Sequence, residues 1–121
     1  MITTFVTRGD QEFQRFVAVL GLGMCRAIAS GTVSVEFACE RLFGPAVITR
    51  AKNAGATPKF VEALTLASEL ADVGRLVPHA FEASLADVEA RLVDILRSMG
   101  PGELEAEKWL VTRPADSSDP S

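Results

Sequence analysis

The chain has no tyrosine, a single histidine (His79), a single tryptophan (Trp109) and two cysteines among 121 residues. Each scarcity excludes something. Two cysteines make no disulfide framework, so Cys25 and Cys39 read as reduced thiols. With no CxxC, no HExxH and one histidine, a zinc site would have to borrow carboxylates, and no metal or other cofactor is expected. Any Cys–His or Ser–His scheme would have to use His79. Cys25 sits in the most apolar stretch, where burial raises a thiol pKa and leaves it inert. Nothing selects a catalytic pair from the sixteen acidic residues, so the chain is read as non-enzymatic. No run approaches the ~18 apolar residues of a membrane span. Met1-Ile2-Thr3-Thr4-Phe5 lacks a basic stretch followed by an apolar one, which leaves a cytoplasmic location as the expectation.

What is present is apolar and helical. The hydrophobic fraction is 48% and the mean hydropathy +0.22, too high for a disordered chain. Length and pattern predict one domain over 1–111 and a polar tail over 112–121, rich in Pro, Ser and Asp. The expected architecture is all-α, a compact bundle of about five helices around a central apolar helix over about 10–30. Its first helix is capped by Asp10 and closed by Gly31, with Phe13, Phe16, Val17, Leu20, Met24 and Ile28 at helical spacing. Val19, Leu22 and Cys25 fill its flanks, which suggests neighbours on several sides. Ser34 caps a second helix, 35–43, and Gly44-Pro45 opens a third that ends at Gly55. Thr57-Pro58 opens a fourth, to about Ala71. Ser84 with Asp87 resembles a capping box for a fifth, 85–99, stopped by Gly100-Pro101-Gly102. Residues 2–7 read as an extended arm, because a lone strand has no partner. Trp109 is expected to dock on the bundle.

Gly21-Leu22-Gly23 is not a phosphate loop. A dinucleotide fingerprint needs a preceding strand, a third glycine and a helix starting there, whereas these glycines lie inside an apolar helix and let a neighbour approach.

Charge is unevenly spread. Residues 1–60 hold seven basic and four acidic side chains, net +3; residues 61–121 hold five basic and twelve acidic, net −7. Nucleic acid is disfavoured as a partner, since it needs a clustered basic stripe with aromatics. A basic protein partner fits the acidic half better.

Leu22-Gly23, Gly31-Thr32-Val33-Ser34-Val35-Glu36, Ala38 and Leu42-Phe43, followed by Glu69-Leu70, Asp72-Val73, Leu76 and Pro78, resemble a family of short bacterial proteins of unknown function. The likeness spans about residues 13–99. It implies an all-helical fold and a bacterial cytoplasmic setting and carries no catalytic residues. Small acidic proteins of this kind are similar in character to immunity proteins encoded beside secreted toxins. The sequence therefore leads to a binding protein that occludes a basic toxin, such as a nuclease, through Glu62, Glu69, Asp72 and Glu82. The alternative is a homo-oligomeric structural or regulatory protein, a homodimer for example, using an apolar strip of Val73, Leu76, Val77 and Phe81.

Overall fold

A computed structural model describes residues 1–105 and 108–113. In chain order it contains β1 (Ile2–Phe5), α1 (Asp10–Ala29), α2 (Val35–Arg41), α3 (Pro45–Asn53), α4 (Pro58–Ser68), α5 (Leu70–Leu76), a 3-10 turn (Pro78–Ala80), α6 (Phe81–Met99) and β2 (Leu110–Arg113). α4 and α5 form one bent rod, jointed at Glu69. Five helical rods therefore make the body, and the fold is all-α apart from one small strand pair.

Local chemistry sets most boundaries. The Ser34 and Thr57 side chains accept the backbone N–H of Phe37 and Phe60, satisfying donors the first helical turn leaves unpaired. Pro45 and Pro58 occupy first-turn positions, where the missing N–H costs nothing. The last helix starts four residues earlier than Ser84 implied. Pro78–Ala80 winds directly into Phe81, so Ser84 lies inside the helix and the near capping box is unused. The fourth helix, expected to run to about Ala71, ends at Ser68, and α5 follows after Glu69 and carries the chain on to Leu76.

α1 packs along α6 more extensively than any other two helices pack, and α6 also touches α4 and α5. Phe43, Phe60, Leu64, Leu70, Val88, Leu92 and Cys25 are the largest fully buried side chains. A Cβ at Gly21 would lie 3.2 Å from the Leu92 Cδ1 and 3.4 Å from a Phe43 ring carbon, so this glycine admits the close approach of α1 and α6. Gly23 faces open space. Gln14, the buried polar residue of the core, accepts from the Thr57 backbone N–H at 3.2 Å and thereby ties α1 to the start of α4.

The N-terminal segment is not a free arm. β1 pairs antiparallel with β2, with Ile2 opposite Arg113 and Phe5 opposite Leu110. The strand partner was hidden because it lies about a hundred residues away, beyond the reach of any local pattern. β2 also takes Thr112 and Arg113 out of the stretch read as tail; the rest of that stretch, 114–121, lies outside the described residues. Trp109 docks as expected. Its ring meets Phe16 edge-on at 4.8 Å, and its indole N–H donates to Glu12 Oε1 at 3.0 Å. Glu12 pairs with Arg15 at 3.4 Å, and Arg15 Nη1 donates to the Gly100 carbonyl at 2.7 Å. This chain of contacts straps the segment after α6 onto α1.

Candidate functional site

Glu69, Asp72 and Leu76 are spaced three and four apart, which puts them on one stripe of the α4–α5 rod. All three are exposed, and Leu76 is 68% exposed, the most of any apolar residue within a helix. The corner that presents it has an identifiable cause. A Cβ on Gly74 would sit 3.2 Å from the Phe81 ring, so glycine lets Phe81 pack close against α5. Phe81 is thereby drawn against the core, and the chain turns sharply through Val77 and Pro78. Leu76 and Val77 are left on the outside of the bend. Of the four residues expected to form an apolar strip, Leu76 and Val77 are exposed, while Val73 and Phe81 are half-buried.

Carboxylates surround this corner. Glu36, in the first turn of α2, lines a shallow cleft with Val35, Gly74, Pro78 and Phe81. Asp72 pairs with the exposed Arg75 on its own helix. Cys39 reports that α2 and α5 are close. Burial raises its thiol pKa, a backbone contact at Ala71 lowers it, and the negative charges of Glu36 and Asp72 raise it further. Its Sγ also lies 3.9 Å from the Ala67 carbonyl. Glu69, Glu36 and Glu82 make no ion pair among the described residues, so their charges are left for solvent or a partner.

The four expected site residues do not form a single face. Glu69 and Asp72 share the corner stripe, and Glu82 follows directly on Phe81 where the corner enters α6. Glu62 lies elsewhere, in a groove between α4 and α6 with Lys59, Asp87, Arg91 and Asp94. There Arg91 reaches Glu62 at 3.3 Å and Asp87 at 3.1 Å, which balances part of the local charge. Glu82 and Asp87 are five residues apart, hence about 140° apart around α6. Glu82 accordingly borders a second cleft, against α1, with Arg26 and Glu89. Glu36 is the rim residue missed by the sequence reading. It had only been noticeable as a first-turn carboxylate suited to the helix dipole.

The two chemical candidates lie apart in character. His79 is exposed on the 3-10 turn. Cys25 is fully buried in α1, and burial, with the charge of Glu89 second, lifts its thiol from an ordinary 9.0 to about 11. Such a thiol is a packing group, protonated at neutral pH. Among the described residues, no group of three or more His, Cys, Asp or Glu could hold a metal ion, and no helix is long and apolar enough to cross a membrane.

Fold and surface together define a small helical protein whose most distinctive exposed feature is an apolar corner set among carboxylates. Residues 8–111 match the family described as "protein of unknown function (DUF3969)", and the chain belongs to that family. No curated protein and no solved structure matches it.

Proposed function

We propose that this chain is a non-enzymatic binding protein of the bacterial cytoplasm that docks a basic protein partner on the α5 corner. In its most concrete form it is an immunity protein that occludes the active site of a toxin such as a nuclease. The observation that supports this reading is Leu76 and Val77, exposed beside Glu69 and Asp72 with Glu36 on the adjoining cleft. Glu82, on the cleft against α1, is the outlying acid of the proposed rim. An apolar centre supplies burial, and a charged rim supplies encounter rate and selectivity. Carboxylates at the rim stand in for substrate phosphates, and the bulk of the bundle closes the entrance. Glu62 belongs to the balanced α4/α6 groove and is secondary.

The test is affinity capture from native cells with the tagged chain and with the E69K/D72K and L76D variants, in a series of salt concentrations. The parent chain retains a stoichiometric basic protein that is released as salt rises, because exposed charge pairs are screened. E69K/D72K weakens capture at least about tenfold, and L76D removes it while the far-UV spectrum stays unchanged. Equal capture by all three chains overturns the site.

A further inference from the structure

The strand pair raises a separate question, because a two-stranded ribbon is marginal alone and neither of its edges pairs with a further strand among the described residues. Val6 N–H donates to the Trp109 carbonyl at 2.8 Å, and Val6 stands opposite Trp109 in the register that places Phe5 opposite Leu110. Bonded and unbonded pairs alternate in an antiparallel ladder. The amides of Thr4 and Ile2 therefore turn inward to β2, and those of Thr3 and Phe5 turn outward. Neither outward amide has a partner among the described residues.

The two edges differ in how they are protected. β2 is flanked by Lys108 and followed by Pro114, the kinds of residue that discourage further strand addition. β1 has no charge, proline or bulge from Ile2 to Thr7. Its side chains are exposed as well: Phe5 is 57% and Val6 40% accessible.

We infer that β1 is the pairing edge for a second copy of this chain, giving a four-stranded sheet in the order β2-β1-β1-β2 about a two-fold axis. The outward amides admit only registers that set odd-numbered residues opposite one another, and the one assigned is centred on Thr4, between the two amides. Thr3 of each copy exchanges hydrogen bonds with Phe5 of the other, Ile2 lies opposite Val6, and Thr4 faces its own counterpart on the axis. No charged residue is set against a like charge in this register, as a self-complementary interface requires. The acidic corner, by contrast, would repel its own copy. The ribbon also has room for the arrangement. Its aromatic contacts with the body, Phe5 and Trp109 on Phe16, are at its base, so two antiparallel ribbons leave the two bodies at opposite ends. The contact is small, and dissociation in the micromolar range is expected for so short an interface.

Sedimentation across a concentration series up to about 100 μM reads the dimer directly. The parent chain shifts from monomer to dimer. Thr3→Pro removes an outward N–H while leaving the inner ladder intact, so it stays monomeric with an unchanged melting temperature. The register is read by oxidative cross-linking in a Cys39→Ser background. Thr4→Cys links two chains, since facing residues of an unbonded pair have Cα atoms about 4.5 Å apart, within disulfide reach. Thr3→Cys, opposite Phe5, does not. A parent chain that stays monomeric, a Thr3→Pro chain that still dimerises, or equal cross-linking at positions 3 and 4 overturns the inference.

Discussion

α1 and α6 are nearly equal in length, twenty and nineteen residues, and they pack against each other, yet their outward faces differ in kind. The outer side of α6 carries Glu82, Asp87, Asp94 and Arg97 among alanines, as a solvated helix does. The outer side of α1 carries Phe16, Val19, Leu20 and Gly23. Val19 and Leu20 are 46% and 43% exposed, and Phe16 lies under Phe5 and Trp109. Apolar residues all around a helix thus do not require helices all around it. Here one side is covered in part by a strand ribbon and a tryptophan.

The sharpest way to break this contrast is to truncate one leucine on each side of α1. Leu92→Ala in α6, where the side chain is fully buried against Gly21, lowers unfolding free energy by about 2–5 kcal/mol. Leu20→Ala changes it by no more than about 0.5 kcal/mol. Urea denaturation of both variants checks the pair, and equal losses would place the outer face of α1 in the core.

The ribbon side is probed next through its anchor. Trp109→Phe keeps most of the ring but leaves Glu12 without the indole donor, a loss of about 1–2 kcal/mol. Amide exchange in residues 2–6 quickens correspondingly, while exchange in α6 does not. A uniform increase would mean that ribbon and body open together.

Cys25 extends the comparison to pH. Its folded pKa, about 11, stands above the ordinary 9.0. Between those values the unfolded chain loses the proton that the folded chain keeps, so the thiol's contribution to stability is full below pH 9 and declines as pH rises toward 11. Melting temperatures at pH 8 and pH 10.5 should therefore fall more steeply for the parent chain than for Cys25→Ala. Parallel slopes would show that the thiol is not desolvated.

The smallest effect separates two glycines one residue apart. Gly23→Ala adds a methyl group in open space and stabilises α1 by about 0.5–1 kcal/mol. Gly21→Ala presses on Leu92 and gives back that gain. Thermal melts that show equal gains would deny the close approach of the two long helices.

These contrasts also show what was legible in the sequence. Ser34, Thr57 and the two first-turn prolines are local signals, and each stands where local chemistry places it. No local signal marked the break between α4 and α5 at Glu69, and the early start of α6 was not legible, because it goes with Phe81 packing on Gly74 across a corner. The strand pair was invisible for the same reason, scaled to the whole chain. At the candidate site, Glu69 and Asp72 could be grouped by spacing alone. The sequence did not indicate that Arg91 pairs with Glu62, nor that Glu36 joins the rim from α2, since both contacts cross between helices.

Joining Phe5 to Leu110 has a consequence for the order of folding. Contacts between distant positions carry the largest closure entropy and are favoured only after nearer ones have drawn the ends together. The helices supply that approach, so β1 waits for the bundle before it can pair. Until then Phe16 lies bare on a finished α1. The strand pair therefore acts as a late seal, and its presence reports that everything between its two halves has already folded.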